Sequence, residues 1–156
     1  MSKSLARVKA ALEAAGEPAE VLEMAETTRT AEDAARAAGC EVDQIAKSII
    51  FRGEDSGHVI LFLTAGGNRV DPALASEVAG QPLGKADAAL IREETGFAIG
   101  GVAPVGHLNP VTAYFDPRLS DFAQVWAAAG TPRHIFAIAP DRLLAITGAK
   151  PAVFVK

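Results

Sequence analysis

Apolar residues recur along this chain with two periods, one typical of helices and one typical of strands. Near the N-terminus they repeat every three or four residues and stop at Gly16, which predicts a helix over residues 4–15. A similar pattern that follows a capping residue or begins at a proline predicts four more helices, over residues 30–38, 71–80, 87–94 and 140–146.

Short runs rich in Ile, Val, Leu and Phe predict strands. Two of these runs, residues 48–51 and 58–64, flank the polar segment 53–57, which predicts a β-hairpin. The other extended segments are residues 19–24, 111–115, 123–128, 134–138 and 152–155. Because helices and strands alternate irregularly, the pattern favours an α/β fold of the α+β type, a single domain over residues 1–156 with a mixed, largely antiparallel sheet flanked by helices.

Composition narrows the class of protein. The chain has 156 residues, 49% of them hydrophobic and 22% charged, a balance typical of a globular domain. The lone cysteine, Cys40, excludes an internal disulfide, and the N-terminus lacks the apolar run of a secretory signal, so we expect a cytoplasmic protein. The net charge of −4 argues against a general DNA-binding protein.

One long segment without Asp, Glu, Lys or Arg runs from Thr95 to Phe115. Its length would suffice to span a bilayer, but its several glycines and prolines would leave backbone groups unpaired in lipid. We therefore expect a buried, structured loop between elements and no membrane contact.

Side chains that commonly carry catalysis show no recognisable pattern. His58, His107 and His134 lack the spacing of metal ligands, and no serine lies in a nucleophile elbow. Cys40 lies next to a glycine that ends a helix, in an apolar setting where we expect an inert thiol. We expect neither a metal nor a cofactor.

The glycine-rich segment 95–106 is the first candidate for a site. It does not match a phosphate-binding loop, but the pair Gly100 and Gly101 would let the backbone approach a ligand closely, and Pro104 would fix the turn. Backbone N–H groups in such a turn can hold an oxyanion or a carbonyl oxygen. A tight connection between two buried elements would explain the same glycines.

Lys47 is the second candidate. It stands at the entrance of a strand that otherwise looks buried, where a cation needs a partner. Either the side chain reaches solvent from the sheet edge, or it supplies a point charge that binds a phosphate.

Three segments in order along nearly the whole chain resemble the YbaK family, the stand-alone relatives of the editing insertion domain of bacterial prolyl-tRNA synthetase. They are residues 44–48, residues 95–106 and the helix end at residues 140–149. Members of that family hydrolyse the ester of a mischarged tRNA after a synthetase has released it. The resemblance implies an aminoacyl-tRNA deacylase.

The resemblance also implies roles for the two candidates. Lys47 would lie against the phosphate and the terminal adenosine of the acceptor end, and the turn would lie against the aminoacyl carbonyl; that turn comprises Gly100, Gly101, Val102, Ala103 and Pro104. In the family the terminal ribose hydroxyl of the substrate is thought to help activate water. This agrees with a sequence that offers no obvious general base.

Substrate contacts are expected from four further residues. Some relatives carry a tyrosine and an aspartate where this chain has Met24 and His134, and Thr30 and Ser48 are polar residues that could contact the amine or the ribose. Thr30 could equally be a simple helix cap, and His134 could be an ordinary half-buried histidine.

The implied partners are the acceptor end of an aminoacyl-tRNA and, through it, prolyl-tRNA synthetase or another synthetase. The expected substrate is tRNA for proline, or a related tRNA, carrying a small amino acid such as alanine, serine, threonine or cysteine. Two alternatives stay open: an inactive module of the same fold that binds nucleic acid or a synthetase, and a metal-free hydrolase of another small ester.

Overall fold

The two most apolar runs of the chain form the centre of the sheet. The computed structural model describes residues 2–17, 19–25 and 30–156. Strands β2 (Ile45–Gly53) and β3 (Val59–Ala65) pair antiparallel from Ala46 opposite Ala65 to Arg52 opposite Val59. The predicted hairpin is therefore confirmed. Strand β2 is longer than the predicted run 48–51, whereas β3 has the predicted length and is shifted by one residue from 58–64.

Five helices surround this hairpin in the described part of the chain, and each lies where the periodicity predicted one. Two of them begin at a predicted cap, Thr30 and Asp71, and a third begins at Asp87, which was not predicted as a cap. All three side chains accept a hydrogen bond from the backbone N–H three residues later. The helices are α1 (Lys3–Ala14), α2 (Ala31–Ala38), α3 (Pro72–Ala79), α4 (Ala88–Thr95) and α5 (Pro140–Thr147). None of the helices in the described ranges is long and apolar enough to cross a membrane.

Six shorter strands complete the sheet: β1 (Val21–Glu23), β4 (Leu83–Lys85), β5 (Thr112–Phe115), β6 (Val125–Ala128), β7 (His134–Ile138) and β8 (Lys150–Pro151). The order is β1-β7-β6-β2-β3-β5-β8, with β4 paired to β2. The pairs β1·β7, β6·β7, β2·β3 and β2·β4 are antiparallel, whereas β2·β6, β3·β5 and β5·β8 are parallel. The predicted mixed sheet flanked by helices is confirmed.

The closing strand was predicted at the wrong place. It spans Lys150–Pro151 instead of residues 152–155, of which only Val155 makes an isolated bridge, to Val70. The apolar run there reflects core packing in place of a continuous strand ladder, because Phe154 is fully buried with its ring 4.9 Å from that of Phe62. Strand β4 and the 3-10 turns at Val42–Gln44 and Pro117–Asp121 were not predicted.

The sheet separates two helical layers. Helices α1, α4 and α5 pack on one face, which contains Ala46 and Ile50 of β2, whereas α2 and α3 pack on the other face, which contains Ile45 and Ile49. Because strand side chains alternate, Lys47 lies on the α2 face and Ser48 on the α1 face.

Strand β2 has one incompletely paired edge. On the side away from β3 it pairs with β6 at Ile45 and Ala46, and with β4 at Phe51–Gly53. Between these two contacts, no described strand pairs with residues 47–50 on this edge. The sheet is split there, and the split opens a cavity beside Lys47 and Ser48.

Candidate active site

The split beside β2 holds a cavity of about 1050 Å³. Its walls come from both faces of the sheet: the start of α2 and the turn after β3 on one face, and α4 with the loop after it on the other. The ends of β6 and β7 close one side. A volume of this size is typical of small-molecule and cofactor sites.

Lys47 lines the cavity from β2. Its ammonium donates hydrogen bonds to the carbonyl oxygens of Asn68, at 2.6 Å, and Gly66, at 3.2 Å. Among the described residues, no carboxylate forms an ion pair with it. Burial lowers the pKa of Lys47, and the positive charge of Arg69 lowers it further. The nearby carboxylates raise this pKa but do not offset the effect of burial. Neutral carbonyls therefore hold the ammonium, and its charge remains available to an anion.

The turn that supplies these carbonyls follows β3. Its first two residues after the strand are Gly66 and Gly67, and a side chain on Gly66 would overlap the carbonyl oxygen of Val42. The Gly67 N–H donates to Asp43 Oδ1 at 2.8 Å. The close backbone approach that glycine permits therefore fixes this turn against the 3-10 turn before β2.

The glycine-rich turn lies on the opposite wall. Gly100 and Val102 line the cavity, and Gly100 is exposed with a φ of +89°, a conformation that favours glycine. The Gly101 N–H donates to the carbonyl of Ala98 at 3.0 Å, so it is already used within the turn. A side chain on Gly101 would come within 2.9 Å of the Thr131 backbone. The glycine pair thus serves both a close backbone contact and a cavity wall.

The last two residues of the predicted turn point elsewhere. Ala103 is fully buried, and its carbonyl lies 2.7 Å from His107 Nε2. Pro104 lines a second, smaller cavity of about 440 Å³ that His107 also lines. Burial lowers the pKa of His107. Ala103 and Pro104 do not line the larger cavity, although the turn that contains them does.

Ser48 lines the cavity from the face opposite Lys47. Its hydroxyl oxygen is buried and has no hydrogen-bond partner among the described residues. A buried hydroxyl without a partner is unusual in a native protein, since it loses water without gaining a replacement.

The three remaining predicted contacts differ in position. Thr30 caps α2, as one interpretation expected, and it also lines the cavity. His134 does not line it; its Nδ1 lies 2.6 Å from the Thr131 hydroxyl, behind the contact with Gly101. Met24 is buried beyond the cavity, where its N–H donates to the carbonyl of Arg133. The roles of these three residues in binding stay predictions.

Several residues that line the cavity were not found by sequence reasoning. The most informative are Arg69 and Lys85, two cations, and Trp126, which pairs with Ile45 and so shares the face of Lys47. The Gly66-Gly67 pair followed by polar residues was a readable turn signal for Arg69. Lys85 and Trp126 carried no such signal, because the long-range pairing of β4 and β6 with β2 brings them to the cavity.

Other reactive side chains lie apart. In residues 2–17, 19–25 and 30–156, no three His, Cys, Asp or Glu side chains cluster as metal ligands would. Burial raises the pKa of the Cys40 thiol, and Glu41 adds to this effect.

This architecture matches known proteins over most of the chain. A family model described as "Aminoacyl-tRNA editing domain" matches residues 25–146. The chain belongs to the aminoacyl-tRNA editing domain family. The matched range of the editing domain contains Lys47, Ser48 and the whole turn from Gly100 to Pro104, whereas Met24 lies just before it.

Individual relatives agree with this assignment. The editing domain is 32% identical over 124 residues to "Uncharacterized protein YwhH" of Bacillus subtilis (strain 168). The aligned residues cover 80% of this chain and 78% of YwhH. A solved structure described as "a putative trans-editing enzyme for prolyl tRNA synthetase" is 48% identical, with a TM-score of 0.93 over 100% of this chain and 99% of that chain. The "hypothetical protein APE2540" is 28% identical, with a TM-score of 0.87 over 96% and 99%.

Proposed function

We propose that this editing domain hydrolyses, in trans, the ester of a mischarged aminoacyl-tRNA, and that its substrate is tRNA for proline, or a related tRNA, carrying a small amino acid. The family and the similar trans-editing protein support this class of reaction. The observation that carries the proposal is the cavity itself. It joins Lys47 on one face of the sheet to Gly100 and Val102 on the other, across the unpaired edge of β2.

Positive charge gathers at the Lys47 end of this cavity, and the glycine-rich turn at the other end is uncharged. In the described part of the chain, the cavity is lined by three cations, Lys47, Arg69 and Lys85, and by one carboxylate, Glu32. The excess of positive charge is local, because the chain as a whole carries a net charge of −4. A phosphodiester at the 3′ end of tRNA would meet these cations, with the Lys47 ammonium already oriented by two carbonyls.

The ester is proposed to bind at the glycine-rich turn. Within the described part of the chain, the N–H groups of Gly100 and Val102 have no hydrogen-bond partner, whereas that of Gly101 is used by Ala98. We therefore assign the oxyanion-stabilising role to Gly100 and Val102 and a packing role to Gly101. Donors already in place before the reaction stabilise the developing charge without reorganisation.

Water activation is proposed to come from the substrate. Among the described residues that line the cavity, Glu32 is the only carboxylate, and it lies on the α2 face, away from the glycine-rich turn. No described histidine lines the cavity. A ribose hydroxyl next to the ester would then take the place of a general base of the protein.

The amino acid would occupy the α1 face of the cavity. This part is lined by small and aliphatic side chains, which are Ala86, Ile91 and Val102, together with the hydroxyl of Ser48. A small substrate side chain fits this lining, and Ser48 offers its amine or its side chain one polar contact. A hydrophobic pocket of this kind discriminates between two amino acids that differ by one methylene by only about 10- to 200-fold in kcat/KM.

Deacylation of a panel of charged tRNAs tests the proposal. The panel contains tRNA for proline charged with proline, alanine, serine, threonine or cysteine, and the same amino acids on their own tRNAs. We expect release of a small amino acid from tRNA for proline and little release of proline. A folded protein that binds these tRNAs without hydrolysing any of them would be a binding module instead. Hydrolysis of simple amino-acid esters alone would indicate a general esterase.

A further inference from the structure

Asp116 is a buried carboxylate outside the cavity that contacts the turn holding Lys47. Asp116 is only 2% exposed to solvent. Oδ2 accepts hydrogen bonds from the Ala65 N–H at 3.1 Å and from Asn68 Nδ2 at 2.9 Å, and Oδ1 accepts one from the Arg118 N–H at 3.0 Å. Three donors thus converge on one buried charged group.

Asn68 connects this carboxylate to the cavity. Its side chain donates to Asp116, and its main-chain carbonyl accepts the 2.6 Å hydrogen bond from the Lys47 ammonium. A single residue therefore separates the buried carboxylate from the cation that lines the cavity.

A second carboxylate holds the same turn from its other side. Asp43 accepts hydrogen bonds from the Gly67 N–H at 2.8 Å and from Arg118 Nε at 3.0 Å. Because Arg118 also donates its N–H to Asp116, one arginine joins both carboxylates. The turn is fixed at its start, its middle and its end.

We propose that Asp116 is a positioning residue for Lys47: through Asn68 it fixes the carbonyl oxygens that hold the ammonium at the phosphate end of the cavity. This inference rests on the proposed function for the role of Lys47 toward substrate. A displacement of about 1 Å in a group that orients substrate can cost about 10²-fold in rate.

The negative charge of Asp116 stabilises the Lys47 ammonium, in addition to the hydrogen bonds that fix its carbonyl partners. The charged groups that act on Lys47 are Glu32 of α2, Asp43 before β2, Arg69 of the turn and Asp116. The three carboxylates favour the ammonium, whereas burial and Arg69 oppose it.

Two variants test the link, and a third is its control. Asp116→Asn keeps the size of the side chain but leaves one acceptor oxygen for three donors. Asn68→Ala removes the donor to Asp116 and keeps the carbonyl that Lys47 uses. Asp121→Asn removes an exposed carboxylate that pairs with Arg118 at 2.9 Å without touching the turn.

The readouts are kcat/KM for deacylation and the NMR signal of the Lys47 ammonium, both measured where each variant is folded. We expect kcat/KM to fall about 10- to 100-fold in Asp116→Asn and Asn68→Ala and to stay at the wild-type value in Asp121→Asn. In the first two variants the Lys47 ammonium protons should exchange faster with water. In Asp116→Asn the Lys47 signal should also titrate at lower pH.

Wild-type turnover and a wild-type Lys47 signal in folded Asp116→Asn would overturn the proposal. If that variant does not fold, Asn68→Ala decides by the same two readouts. If the wild-type protein deacylates no tRNA, the proposed function fails while the Lys47 signal still decides the positioning role. An unchanged signal in both variants would then reject it, and faster proton exchange would support it.

Discussion

At the scale of single residues, adjacent positions of β2 serve opposite walls of one cavity. Lys47 and Ser48 follow each other in the chain, so their side chains leave the strand on opposite faces. Both reach the same cavity because the strand edge between β6 and β4 is unpaired. The sequence showed Lys47 as an unusual cation, but it could not show that Ser48 lacks a hydrogen-bond partner, since this depends on the packing around it.

Substitution of Ser48 separates binding from stability. A buried hydroxyl without a partner costs free energy in the unbound protein, so Ser48→Ala should leave the melting temperature unchanged or raise it. If the hydroxyl contacts substrate, kcat/KM should fall about twofold to tenfold, the worth of one hydrogen bond. Thermal unfolding and deacylation rates check both parts, with the exposed Ser120→Ala as control. Lower stability together with full activity would contradict this role.

At the scale of elements, local sequence predicted the starts of helices and most strands well, but it missed β4 and misplaced β8. Asp71 and Pro72 determine the start of α3 through contacts within one turn, which a sequence displays. Strand β4, by contrast, has three residues and exists because it pairs with the end of β2. The run at residues 152–155 was misread for the related reason that burial of Phe154 resembles the pattern of a strand.

The glycine-rich turn is an element whose two glycines have separable roles. In Gly101→Ala the new methyl group would meet the Thr131 backbone at 2.9 Å, so the turn must move away from the loop between β6 and β7. We expect a loss of about 1–3 kcal/mol of stability from this overpacking, and reduced turnover because Gly100 and Val102 move with the turn. Urea unfolding and kcat/KM measure the two effects.

A core variant away from the cavity provides the control for this prediction. Ile138→Val in β7 should cost about 0.5–1.5 kcal/mol without displacing the glycine-rich turn, and its turnover should stay near the wild-type value while it is folded. Unchanged turnover in Gly101→Ala would show that the position of this turn does not matter for the reaction.

At the scale of the whole molecule, the site is assembled from segments that are distant in the chain. The resemblance of three sequence segments was sufficient to indicate the family, and the family match over residues 25–146 confirms it. The cavity could not be predicted in this way, because it exists only where β6 and β4 diverge along β2. Lys85 and Trp126 reach it through those same long-range pairings, whereas Arg69 reaches it from the turn after β3.

The deacylation rate of Lys47→Ala, compared with wild type on mischarged tRNA for proline, tests the central claim most directly. Within the described residues, the ammonium of Lys47 donates to two main-chain carbonyls and to no carboxylate, and the side chain is partly exposed, so its removal should change the melting temperature little. We expect turnover to fall by about 10²-fold or more, because in the proposed function this charge binds the phosphate of the substrate. The exposed Lys150→Ala serves as control and should match wild type. Wild-type turnover in a stable Lys47→Ala protein would contradict the account.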